Sequence, residues 1–309
     1  MKKIFTIIII ILSLNTYAQN LPKFSNYEMN KNIINPAAIF DNNPTINIFY
    51  RNQWMGFEDA PTTAGFNATY KNDKSAFGVY LLNDNAGIFH QNIFQLNYSY
   101  SLQVTDETYM NFGLSGGFNI YSMSFQDLIL HDINDPYIPV NQESAFLPDI
   151  NFGTIYTNIR NTSDFAFSSL ARRYPIYYIG FSVQHLLGVV SNNIVAKDNS
   201  YMNRHYNLMG GIMHPVGASF QLQELILIKY TPNAPFQADI GAKFFYQENY
   251  WFGLSYRTSN DLIAKIGFKF NFVSIGYAFD FSIFQIPSKT SHDIVLGFII
   301  PYKNSTSKY

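Results

Sequence analysis

The residues best suited to hold a metal or move a proton in this 309-residue chain are its six histidines, because imidazole titrates near neutral pH. They are His90, His131, His185, His205, His214 and His292, and no two stand at i, i+2 or i, i+4. An HExxH pair is absent, and no serine or threonine reads as a nucleophile. The run HDINDP at 131–136 gathers His131, Asp132, Asn134 and Asp135, oxygen donors of the kind calcium loops use. It lacks the Asp-x-Asp-x-Asp-Gly spacing, and Asn or Asp ahead of Pro136 is ordinary turn chemistry. The chain has no cysteine, which removes thiol nucleophiles, disulfides, zinc–thiolate sites and CxxCH haem attachment together. The expectation is a non-enzyme, with no catalytic residue, cofactor or metal.

Charged residues make up only 13% of the chain, yet YRNQWMGFEDAP at 50–61 packs Arg51, Trp54, Glu58 and Asp59 into twelve residues. Whether this knot does chemistry or holds something in place depends on the elements that carry it. In FQLNYSYSLQV, Phe94, Leu96, Tyr98, Tyr100, Leu102 and Val104 alternate without exception with Gln95, Asn97, Ser99, Ser101 and Gln103. Such a period of two belongs to a strand, since helical side chains recur every 3.6 residues. PFQADIGAKFFYQ alternates as well, with Phe245 as its exception, and so do LIAKIGFKF and FVSIGYAFDFSI. Weaker alternation at 45–54, 63–71, 75–84, 109–122, 147–158, 174–186, 204–215, 220–230, 250–258 and 291–301 brings the expected strands to fourteen. Each approaches the roughly 9–11 residues a tilted strand needs to cross a bilayer.

The polar faces of these strands are mostly Gly, Asn, Ser and Gln, whereas a soluble surface is about a quarter to a third charged. They suit a crowded lumen, and the fold expected is all-β: a transmembrane antiparallel barrel of about 14 strands. Parity then points Arg51, Lys71, Asp239, Lys243, Arg257, Lys265, Lys269, Asp280 and Asp293 inward. Their mixed signs read as a salt-bridge network that plugs the lumen, or alternatively as a selectivity lining. Parity also turns Tyr50 and Trp54 outward, with Trp54 as an interface anchor, and GFEDAP becomes a turn. The knot is support, not catalysis. Tight connections at 71–73, 247–249 and 258–261 contrast with long ones at 122–146, 159–173 and 187–203, the latter expected to form an extracellular docking surface.

The ends and the composition agree with a membrane barrel. MKKIFTIIIIILSLNTYAQN has two lysines, eleven residues of apolar run from Ile4 to Leu14, and a small residue at Ala18. It reads as a signal peptide over 1–18, too short for a membrane span. Removing Lys2 and Lys3 from 20 basic residues leaves 18 against 21 acidic ones, so nothing electrostatic favours nucleic acid. Aromatics reach 17%, with 29 Phe and 23 Tyr, while mean hydropathy is only −0.05. The chain divides into a pre-barrel segment at 19–43 (plug or periplasmic), a barrel at 44–302 and a polar tail at 303–309.

NIINPAAIF (32–40) followed by YRNQWMGFEDAPTTAGFNATY (50–70) resembles the N-terminal signature of the PorP/SprF family, outer-membrane proteins of the Bacteroidota type IX secretion system. FLPDINFGTIY, YYIGFSVQHL, YWFGLSYR, IGYAFDF and SHDIVLGF recur in family order and extend the resemblance over the whole mature chain. The resemblance implies a fourteen-stranded, non-enzymatic barrel that works with a secreted surface protein, such as a gliding adhesin with a type IX C-terminal domain. It also implies periplasmic partners, either peptidoglycan-linked or part of the secretion machinery, alongside outer-membrane lipids. Asn35-Pro36-Ala37 also occurs near the start of fatty-acid-transporter-like barrels, which keeps a porin-like or hydrophobic-compound transporter as the alternative.

Overall fold

The computed structural model describes residues 22–40, 43–124, 143–159, 175–188, 190–191, 200–217, 219–247, 249–283 and 290–301. The first half of the wall is β1 (Thr45–Asn52), β2 (Thr62–Asn72), β3 (Ser75–Ala86), β4 (Phe89–Gln103), β5 (Tyr109–Met123), β6 (Glu143–Thr157) and β7 (Ile176–Gln184). A separate two-residue ribbon follows, β8 (Val190–Ser191) with β9 (Ser200–Tyr201). The second half is β10 (His205–Val216), β11 (Phe220–Tyr230), β12 (Gln237–Tyr246), β13 (Tyr250–Arg257), β14 (Asp261–Phe270), β15 (Val273–Ser282) and β16 (Thr290–Ile299). Fourteen strands therefore close into one antiparallel barrel, β7 pairing with β10 and β1 with β16. At the closing seam Arg51 stands between Thr63 on one side and Asp293 on the other.

The alternation seen in the sequence is an inside–outside pattern of inverted polarity. On β4, Leu96, Tyr98 and Tyr100 are 55%, 44% and 39% exposed, while Gln95, Asn97 and Ser99 are at most 4% exposed. A water-soluble sandwich would bury the first set. Exposed apolar rows on nearly every strand, such as Ile48, Phe77, Leu114, Ile240, Phe252 and Ile266, make an outer surface that only lipid satisfies. Inside, Phe24, Tyr27, Ile34 and Phe40 of the pre-barrel segment join inward Phe49, Tyr80, Ile155, Tyr178, Met209 and Leu227 in one apolar cluster.

The up-and-down order fixes two rims. The near rim, where β1 begins and β16 ends, carries the connections 73–74, 104–108, 158–175, 217–219, 247–249 and 271–272. Five of these six are tight, and Asp73 and Asn271 open two-residue turns with φ of 51° each, a left-handed geometry that Asp and Asn tolerate better than most residues. The far rim carries 53–61, 87–88, 124–142, 185–204, 231–236, 258–260 and 283–289.

This order corrects the docking surface expected from 122–146, 159–173 and 187–203. One strand, β6, separates the first two segments, and β7 separates the second from the third, so the β6–β7 connection lies on the opposite rim from the other two. Strands β3 to β6 also extend beyond their expected bounds. Asn83, Asn85, His90 and Asn92 continue the ladder there, bonded side chain to side chain, where hydrophobic alternation has already stopped.

Candidate functional site

Residues 22–40 have no period of two, and they fold into one 3-10 turn at Tyr27–Met29 and one helical turn at Lys31–Ile34. Elements so short leave most backbone groups without internal partners, and buried ones must find them elsewhere. Inward amides and a hydroxyl of the barrel supply them. Asn47 donates to Met29 O (2.8 Å), Asn97 to Asn32 O (3.2 Å), Gln184 to Ile33 O (2.9 Å) and Ser182 Oγ to Ile34 O (2.7 Å). Asn32 and Asn67 exchange amide bonds at 2.8 Å each way.

Asn35 is the pivot of the segment. Its Nδ2 donates to Thr154 O and Phe181 O, and its Oδ1 accepts from the N–H of Ala37. The backbone of Pro36 and Ala37 then lies so close to Gly113 on β5 that a Cβ there would collide with it. The segment thus crosses the lumen from the far rim to the near rim before β1 begins.

Two ionic clusters hold it. At the far rim, Ser25 N–H donates to Asp293 (2.7 Å), and Ser25 Oγ donates to Asp280 (2.6 Å) while accepting from Arg51 (2.8 Å). Arg51 pairs with Asp280 at 2.7 Å. Arg257 spans Asp239 (2.9 Å) and Asp280 (3.3 Å) and also donates to Phe24 O (3.3 Å).

Deeper inside, Glu28 places Oε1 3.2 Å from Lys243 and Oε2 3.1 Å from Lys265, with its side chain only 4% exposed. Burial alone would push this carboxyl up, but the two ammonium groups outweigh it and hold the group at about 2. The ammonium of Lys243 also sits 5.2 Å and 5.0 Å from the ring centres of Phe245 and Trp251, which places Phe245, the exception in its alternating run, in the cation's aromatic seat.

Of the residues expected inside, Arg51, Asp239, Arg257, Asp280 and Asp293 form the rim cluster, and Lys243 and Lys265 meet at Glu28. Lys71 is buried on β2, and Lys269 is half-buried near the end of β14. Trp54 does not continue β1, which ends at Asn52. It stands half-buried in the bend beyond, at φ 57°, with its N–H donating to Ser291 Oγ.

Glu28, Ser25 and Asn35 were missed, and so was a polar group opposite the rim cluster. There Asp149 accepts from Gln95 (2.7 Å) and faces His185 Nδ1 (3.0 Å). The His185 and His205 rings stand edge to face at 5.3 Å, with His205 bonded to Thr231. Among the described residues no three His, Cys, Asp or Glu side chains converge on a metal position, and the run 131–136 lies outside them. The letters GxSxG do occur, at Gly113–Gly117, but inside β5. Ser115 Oγ accepts there from Asn151, without the strand-to-helix turn a nucleophile elbow needs.

Fold and lumen together define an outer-membrane β-barrel whose interior is occupied by its own N-terminal segment. Residues 16–298 match the family model of the type IX secretion system membrane protein PorP/SprF, and the chain belongs to that family. No curated protein matches it by sequence. Among solved structures it is similar in fold to the toluene transporter TbuX of Ralstonia pickettii, at 10% identity and a TM-score of 0.51, covering 87% of this chain and 93% of the transporter. The monoaromatic hydrocarbon channel CymD gives 11% identity and a TM-score of 0.50, with 88% and 93% covered.

Proposed function

We propose that this protein is a docking barrel of type IX secretion, one that holds a secreted surface protein at its extracellular rim and periplasmic machinery at the other. One observation carries the reading: residues 22–40 fill the lumen with buried, hydrogen-bonded and ion-paired contacts, so the barrel at rest is built as a solid support. Short turns on bacterial barrels face the periplasm, which makes the near rim periplasmic and the far rim extracellular. The secreted partner then meets the connections 124–142 and 185–204, while 158–175 and the tail at 303–309 face the periplasmic side. Residues 1–18 act as the signal peptide, 19–43 as the plug, and the inward charges as a structural network.

The test is a gentle-detergent pull-down of the tagged barrel from crosslinked native outer membranes. A large secreted surface protein should crosslink through 124–142 or 185–204, and a periplasmic component through 158–175. A barrel recovered alone after crosslinking refutes the docking role. It would leave transport as the reading, which requires the plug to move, and bilayer conductance would then measure it.

A further inference from the structure

The direction in which the plug is threaded has a consequence for the cell surface. Lys23, Phe24 and Ser25 lie among Arg51, Asp239, Arg257, Asp280 and Asp293, and these five residues stand at or near the far-rim ends of β1, β12, β13, β15 and β16. Glu28 sits halfway down, against Lys243 and Lys265. Asn35 and Ala37 reach the lower parts of β5 and β6, and Phe40 packs on Tyr178 near the start of β7. Pro44 then meets Ile300 at the near rim, where β1 begins. The chain therefore enters β1 from the near rim, but its earlier residues have already climbed to the far one.

We infer that the plug is threaded outward, so that its first described residues, Pro22 to Ser25, stand at the extracellular mouth of the barrel, beside the β13–β16 and β1 rim. A strand-first barrel presents no such segment to the outside; here the upper end of the plug is displayed there and clasped by Ser25. A partner approaching from outside meets this end, half-buried Lys23 included, as part of the rim. The inference needs the orientation assigned above but not the docking role, and the two fail separately.

The chain has no native cysteine, so single cysteines report position without background. Three variants are labelled with a membrane-impermeant maleimide in intact and in permeabilised cells: Glu58→Cys in the far-rim β1–β2 turn, Lys74→Cys in the near-rim β2–β3 turn, and Lys23→Cys. A fourth carries a Gly-Ser linker with one cysteine inserted after Asn20, which reaches past any local cover. Glu58→Cys should label in intact cells and Lys74→Cys only after permeabilisation. The linker cysteine should follow Glu58→Cys, severalfold above Lys74→Cys in intact cells, and Lys23→Cys should follow it more slowly. A linker cysteine that follows Lys74→Cys, or reacts in neither preparation, overturns the inference. Exchange of the Glu58→Cys and Lys74→Cys patterns overturns the orientation and the inference with it.

Discussion

Glu28→Gln is the substitution that tests the plug most directly. The neutral amide keeps the shape of the side chain but leaves Lys243 and Lys265 buried without the carboxylate that both approach at 3.1–3.2 Å. A carboxyl held at about 2 instead of its ordinary 4.5 is stabilised in place by about 3 kcal/mol, at roughly 1.36 kcal/mol per unit. Stranding one side of a buried ion pair independently costs about 3–5 kcal/mol. The first figure raises the population of the withdrawn plug on the order of hundredfold, and the second on the order of hundredfold to several thousandfold. Trypsin cleavage after Lys31 in the detergent-solubilised native barrel reads that population while reclosing outpaces cleavage. The expected result is cleavage at least about hundredfold faster, with the barrel band still heat-modifiable on a gel. A rate within twofold of wild type, with folding intact, would refute the claim that Glu28 locks the plug.

Acid should reproduce the effect in the wild type. Because Glu28 has a depressed value in place, its stabilisation is complete above about 4.5 and is lost as pH falls towards about 2, so open events in a planar bilayer should rise across that window. In Glu28→Gln this Glu28-dependent rise should be missing. Gly113→Ala sets a Cβ against the backbone of Pro36 and Ala37, which side-chain rotation cannot relieve; a loss of about 1–3 kcal/mol should appear as a lower thermal midpoint. Asp280→Asn removes the carboxylate shared by Arg51 and Arg257 and should cost about 3 kcal/mol. Its signature is local: trypsin should cut after Lys23 at the rim well before it cuts after Lys31.

The wall was legible because its signal repeats every two residues and is reversed in polarity, so that Gln95 and Asn97 on β4 read as lumen from their neighbours alone. The plug was not. Its partners lie far along the chain, with Ser25 bonded to Asp280 and Asp293 across 255 and 268 positions, and no local period announces a segment whose order comes from the wall. One hint was present in the charges that parity points inward: six cations, Arg51, Lys71, Lys243, Arg257, Lys265 and Lys269, were expected there with three acids, Asp239, Asp280 and Asp293. An expected surplus of that kind calls for further acids, and Glu28, from outside the strands, meets two of these cations. The misplaced loop had a different cause, since counting strands between connections already sends 159–173 to the other rim.

The seam between β1 and β16 carries a consequence for how the molecule is made. The first residues of the plug are clasped by Asp280 and Asp293, which sit on the last two strands of the chain. The lock therefore cannot exist until the end of the chain has arrived, and once β16 has zipped onto β1 the lumen is walled in around whatever it holds. Assembly thus finishes with one event that both seals the cylinder and completes the clasp on its contents, and a chain cut short of β15 and β16 would have neither the seam nor the clasp.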